Sequence, residues 1–157
     1  MKNLKLITTA ISLILLTNCG FEVIDKRELL NFNIKEISIS GDKRINFELK
    51  NKLSSYNDIN SNKIIKIELD TKKSKSIKEK NVNNEITKYQ IKVLVDVKLV
   101  KKDNTNNLEF FVEQEGDYVV ADKFSQTLNN ENRLIRKIID KLSEEIIDQI
   151  INKLNVI

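Results

Sequence analysis

The segment Lys88-Tyr89-Gln90-Ile91-Lys92-Val93-Leu94-Val95-Asp96-Val97-Lys98-Leu99 alternates along its whole length. Tyr89, Ile91, Val93, Val95, Val97 and Leu99 form one row, and Lys88, Gln90, Lys92, Leu94, Asp96 and Lys98 form the other. A period of two is the signature of a β-strand with one buried and one solvated face. The run is long for a strand, which predicts a place at the centre of a sheet. Its odd-numbered residues then lie under whatever layer covers that sheet.

Downstream, Asp103–Asn107 reads as a polar turn, and Leu108, Phe110, Val112, Tyr118 and Val120 read as a partner strand. Two alternating runs joined by a short polar turn predict an antiparallel hairpin. Gly116 interrupts the second run and predicts a bulge. Upstream, Ile65, Ile67 and Leu69 alternate with Lys66, Glu68 and Asp70, giving another strand. Lys35–Ser40 alternates as well and ends at Gly41. Asp42 is a helix N-cap candidate, and Ile45, Leu49, Leu53 and Tyr56 then line one face of a helix of about three to four turns. Asn57–Asn62 is a polar break.

The last segment is helical. Leu128, Ile135, Ile138, Ile139, Leu142, Ile146, Ile150 and Leu154 recur at spacings of three and four. Leu134, Ile147 and Ile151 widen that stripe, either as core or as a flank that meets a partner protein. The order is β-α-β-β-β-α. It predicts an α+β two-layer sandwich with two helices on one face of a four-stranded, mostly antiparallel sheet. The other face is left to water, as its Lys, Gln, Asp and Glu residues require.

Composition narrows the chemistry. The chain has 157 residues, no His, Pro or Trp, one Cys and three Gly. Without His there is no His-dependent triad, His general base or His metal ligand. A lone Cys makes neither an internal disulfide nor a Cys-rich zinc site. The glycines at 20, 41 and 116 are too scattered to cradle a phosphate. Glu144-Glu145 lies on a charged helix face, where solvation accounts for it. These features predict no catalytic residues, no metal, no cofactor and no enzymatic activity.

The N-terminus carries an address. Lys2 and Lys5 precede the uncharged run Leu6–Leu16, and Leu16-Thr17-Asn18-Cys19-Gly20 follows. This is the layout of a secretory signal. The apolar run has 11 residues, whereas a membrane span needs about 20. The segment around Cys19 resembles a bacterial lipobox, which implies a lipoprotein signal peptide over 1–18 and lipidation of Cys19. Residues 19–33 then read as a lipidated tether and 34–157 as a single domain. Three acyl chains on Cys19 exceed what stable anchoring needs. Gly20, where an Asp would retain such a protein at the inner membrane, implies the outer membrane, periplasmic side. Loss of Lys2 and Lys5 lowers the formal charge from +4 to +2. Together with the address this disfavours nucleic acid.

The stretch Lys72–Lys80 holds five lysines, Lys72, Lys73, Lys75, Lys78 and Lys80, and one Glu. It reads as a loop at one end of the sheet, either solvated or serving as an anion site for phosphates.

The lipobox Cys19-Gly20-Phe21, followed by a strand, a short helix, three strands and a C-terminal helix, resembles the lipopolysaccharide-assembly lipoprotein family LptE. Ser40-Gly41-Asp42, Tyr89-Gln90 and Asn130-Glu131, the last expected in the first turn of the final helix, sit in matching order. The resemblance implies a plug inside the outer-membrane β-barrel LptD that assists barrel assembly and lipopolysaccharide insertion into the outer leaflet. It also implies basic residues before the Tyr-Gln strand and at the start of the last helix that hold lipopolysaccharide. Lys78 and Lys80 stand near the first place. Leu128 and Asn129 occupy the second, with Lys123 a few residues earlier. The candidate lipopolysaccharide-binding residues are Lys72, Lys73, Lys75, Lys78 and Lys80. The second reading is an auxiliary periplasmic lipoprotein of an inner-membrane transporter complex, since such lipoproteins share a strand-helix-strand opening.

Overall fold

A computed structural model describes residues 32–57, 61–101 and 107–155. The signal peptide, Cys19, the tether as far as residue 31 and most of the turn at Asp103–Asn107 lie outside the described residues. Six elements follow in the expected order: β1 (Asn33–Gly41), α1 (Lys43–Ser54), β2 (Ile64–Lys80), β3 (Ile86–Lys101), β4 (Leu108–Val119) and α2 (Phe124–Asn155). The folded unit already includes Phe32, which is fully buried, and Asn33.

The sheet runs β1-β2-β3-β4. β1 and β2 are parallel, and the other two pairs are antiparallel. A parallel pair cannot be closed by a tight turn, and α1 supplies the crossover. Both helices pack on the same side. Ile45, Leu49 and Leu53 of α1 and Ile135, Ile139, Leu142, Ile146 and Ile150 of α2 share one core cluster with the sheet. From β3 the odd-numbered Ile91, Val93, Val95, Val97 and Leu99 enter that cluster, while Lys92 and Asp96 are exposed. Leu134 and Ile151 also pack against the core, and Ile147 is fully buried. The wide stripe of α2 is therefore core, and the apolar residues left exposed on this helix, Phe124 and Leu128, lie at its start.

Asp42 caps α1 as expected. Its Oδ1 accepts from the amides of Arg44 at 3.1 Å and Ile45 at 3.0 Å, satisfying donors that the first helical turn leaves open. Behind the cap lies a buried polar latch. The Asn46 side chain donates to the Ser40 carbonyl at 2.7 Å and accepts from the Thr71 hydroxyl at 2.6 Å. Asn46 and Thr71 are both buried, so each needs the other.

Three local readings are corrected. Lys72–Lys80 is not a loop: β2 continues as a strand to Lys80, paired with β3. The chain turns at Asn81–Glu85, where the Asn81 side chain accepts from the amides of Asn83 at 3.0 Å and Glu85 at 2.9 Å. Asn84 takes a φ of 63°, which Asn tolerates better than most residues. The apolar alternation stops at Thr71 because the strand there runs out from under the helices, so burial no longer dictates side-chain type. Secondly, Gly116 is not a bulge. The β3–β4 register is continuous through Ile91 opposite Gly116. A Cβ at Gly116 would lie 2.6 Å from Leu134 Cδ1, so the missing side chain makes room for α2. Thirdly, α2 begins at Phe124, which puts Asn130 and Glu131 in its second turn.

Candidate functional site

β1 ends at Gly41 opposite Thr71, and β2 runs on for nine residues with β3 as its only strand neighbour among the described residues. The pleat divides the five lysines between two faces. Lys72 and Lys78 lie on the open face. Lys72 meets Asp96 at 3.0 Å and Asp70 at 3.5 Å, and Lys78 meets Asp117 at 3.9 Å. Lys73 and Lys75 lie on the helix side, where Lys73 pairs with Asp42 at 3.5 Å and Lys75 with Glu131 at 2.9 Å. Lys80 sits at the hairpin tip and donates to Asn84 Oδ1 at 2.9 Å. The run is thus a ribbon with cations on both sides and at its tip, not one convergent cluster.

Lys75 anchors the most ordered part of this ribbon. Its Nζ lies 4.3 Å from the ring centre of Tyr89 and 5.2 Å from that of Tyr118. The two rings are cross-strand partners and stack with centroids 5.7 Å apart. The Tyr118 hydroxyl donates to Glu131 Oε2 at 2.7 Å, the same oxygen that receives Lys75. Two strands, β2 and β4, therefore meet α2 at one carboxylate. Partial burial works against the charge on Lys75 and on Glu131, but the bonds among Lys75, Tyr118 and Glu131 outweigh it. Lys75 is raised and Glu131 is lowered from its usual range. Burial, reinforced by Glu131, also raises Tyr118. The depressed Glu131 stabilises the fold above the usual carboxylate range, and that contribution is lost as pH falls through its folded value.

Beside this cluster a cleft of ≈ 510 Å³ opens between the ribbon and the start of α2, lined by Lys75, Tyr89, Val120, Phe124, Leu128 and Glu131. Phe124 and Leu128 are exposed at 81% and 44%, and Ile77, beside Tyr89 on the ribbon, is exposed at 50%. The helix start is held in place here. The Thr127 hydroxyl accepts from the Ala121 amide at 2.9 Å, and Asn130 donates to the Val119 carbonyl at 3.0 Å. The Lys123 carbonyl receives the amides of Gln126 and Thr127. The arrangement sets one fixed cation, Lys75, beside apolar side chains open to solvent. Such a surface suits an amphiphile with anionic groups and alkyl chains.

The structure brings Lys75 and Leu128 to this cleft, and leaves Lys72 and Lys78 on the opposite face of the sheet. Sequence reasoning missed Tyr118, Phe124 and Glu131 as parts of one site. The signal was the register: Tyr89 opposite Tyr118 fixes which residues of α2 face the ribbon. Among the described residues no group of His, Cys, Asp or Glu is arranged to hold a metal. No helix among them is long and apolar enough to cross a membrane.

A model of the LptE lipopolysaccharide-assembly family matches residues 31–154. The chain belongs to the LptE family. Solved structures agree in fold. The rare lipoprotein B from Shewanella oneidensis superposes with a TM-score of 0.57 at 13% identity, covering 78% of this chain and 97% of that one. A putative lipoprotein from Caulobacter crescentus gives 0.55 at 13% identity, covering 76% and 90%. No curated protein matches in sequence. The LptE membership sets the chain's role in lipopolysaccharide assembly, and the neighbours carry the same strand and helix architecture.

Proposed function

We propose that the protein is an outer-membrane lipoprotein, anchored through Cys19 on the periplasmic side, that plugs the β-barrel LptD and assists lipopolysaccharide insertion into the outer leaflet. The observation that carries this reading is the family match across 31–154, which spans all but the last residue of the described fold. The surface chemistry supports it. Barrel lumens are polar, and a plug must present a folded domain with a polar exterior. The open sheet face here carries Glu68, Asp70, Asp96, Lys98, Glu109 and Glu113. An N-terminal lipid anchor raises the local concentration of the plug near its barrel. The role needs shape and surface and no catalytic step. Co-purification in mild detergent tests it: an outer-membrane barrel is the expected partner, and an inner-membrane permease complex in its place would overturn it.

Within this reading Lys72, Lys73, Lys75, Lys78 and Lys80 meet lipid phosphates, and the cleft at Phe124 and Leu128 lies beside Lys75. Four of the five already pair with carboxylates, but the exposed pairs of Lys72 and Lys78 are worth about 0–1 kcal/mol, so a phosphate can compete for those two. Replacing all five with Gln should leave barrel association intact and cut lipopolysaccharide binding about tenfold or more at low salt. Unchanged binding would make the lysines a solvated edge, and loss of the barrel would place them in the protein interface. For the anchor, labelling with a fatty-acid analogue should mark the wild type and not Cys19→Ala. Equal labelling of both would remove Cys19 as the lipidation site.

A further inference from the structure

Most lysines of the ribbon are neutralised by their own chain, but a second basic row is not. Arg133, Lys137 and Lys141 follow one another at four-residue steps along α2, and all three are exposed. Arg133 donates to Asn130 Oδ1 at 2.8 Å, and none of the three pairs with a carboxylate among the described residues. The row lies beside β4. α2 runs back along that strand, with Glu131 bonded to Tyr118, Leu134 packed over Gly116 and Glu145 bonded to Gln114. Because Gly116 has no side chain, the helix sits close to the strand here. Between them opens a groove of ≈ 290 Å³, with Val119, Asn130, Arg133, Leu134 and Lys137 in its walls. It shares no residue with the cleft at Lys75. β4 is the last strand of the sheet and has β3 as its only strand neighbour among the described residues. The outer edge of this 12-residue strand presents backbone donors and acceptors to solvent. We propose that β4 accepts an extended segment of a partner protein as a fifth strand, with carboxylates at alternate positions of that segment meeting Arg133, Lys137 and Lys141.

Spacing and charge select this occupant. Four helical residues advance about 6 Å. Two strand residues advance about 6.7 Å, so every second side chain of an added strand meets the next cation of the row. The other face of that strand meets different chemistry. It lies beside the odd-numbered residues of β4, which include Glu109, Glu113, Glu115 and Asp117. Carboxylates on that face would stand against like charge. A slip of one residue exchanges the two faces, so charge fixes the register. The segment therefore carries Asp or Glu on one face and neutral or basic side chains on the other. Two copies paired antiparallel through β4 would set their carboxylate rows against each other, so a second copy does not fit. Backbone hydrogen bonds supply the attachment, and the helix beside the edge supplies the selectivity.

The test uses the full chain in mild detergent and a short peptide alternating Glu and Thr. A peptide of the same composition, with its Glu residues grouped in one half, controls for net charge. Anisotropy of the labelled peptides measures binding, and amide hydrogen exchange locates it. The alternating peptide should bind about tenfold more tightly than the grouped one and should weaken as salt rises. It should also slow amide exchange within Leu108–Val119. Arg133→Gln with Lys137→Gln should weaken binding about tenfold. Arg136→Gln, exposed on the same helix but outside the groove, should leave it unchanged. No binding, equal binding of the two peptides, an equal loss in Arg136→Gln, or binding without slower exchange in β4 would overturn the proposal. Slow exchange of every β4 amide before peptide is added would overturn it too. If that protection grew with protein concentration, the edge would belong to a second copy, and if it did not, to another part of this chain.

Discussion

Val95→Asp should unfold this protein under conditions where Lys92→Asp leaves it folded. Val95 is fully buried in β3 between the helix layer and the neighbouring strands. A carboxylate there has no partner and loses its water, which costs about 4 kcal/mol or more, a large share of a small domain's stability. Lys92 is on the solvated face, where its ammonium lies 2.7 Å from Glu113. Reversing its charge loses that pair and adds a repulsion, for about 1 kcal/mol. Denaturant midpoints for the two variants measure the difference. Closely similar midpoints would mean that the faces of β3 are assigned the wrong way round.

Gly41→Ala should be nearly as damaging, although it adds one methyl group at the end of an edge strand. Gly41 has a φ of +90°, a conformation that L residues rarely adopt. A Cβ there would sit 2.0 Å from the Thr71 carbonyl oxygen. That carbonyl also receives the Asp42 amide at 3.0 Å, next to the Asn46–Thr71 bond, so it is not free to move away. Strain and displacement together should cost about 3 kcal/mol or more, read from urea unfolding. Gly116→Ala is the control. Its Cβ meets only the flexible end of Leu134, and a loss of about 1 kcal/mol is expected. Equal losses at the two sites would mean that the β1–α1 junction is not the rigid corner its hydrogen bonds imply.

The fold was legible where burial wrote the pattern. The odd row of β3, the spacing of Ile45, Leu49 and Leu53, the cap at Asp42 and the stripe of α2 all follow from which side of an element loses water. Legibility failed where no residue is buried. In Lys72–Lys80 neither face enters the core, so a strand there has the composition of a loop, and its identity is held by β3 alone. Gly116 misled for the opposite reason. Its small size serves the α2 side chain across the layer and not its own strand, and a single chain segment cannot reveal a partner so distant in sequence. The cleft beside Lys75 was hidden in the same way. Its residues come from β2, β3 and the start of α2, and only the register that sets Tyr89 against Tyr118 joins them.

The extension of the β2–β3 hairpin beyond the helix layer has an evolutionary consequence. Core residues of β2 end at Thr71, and the turn at Asn81–Glu85 is separated from them by the exposed stretch Lys72–Lys80. Changes in length, charge or apolar content near the tip therefore leave the stability of the domain almost untouched, as tolerated variation at exposed loop ends does elsewhere. A lineage can retune what the ribbon meets, one substitution at a time, without first acquiring compensating changes in the core. The same strand that is rigid in sequence at Ile65, Ile67 and Leu69 is open to drift a few residues later.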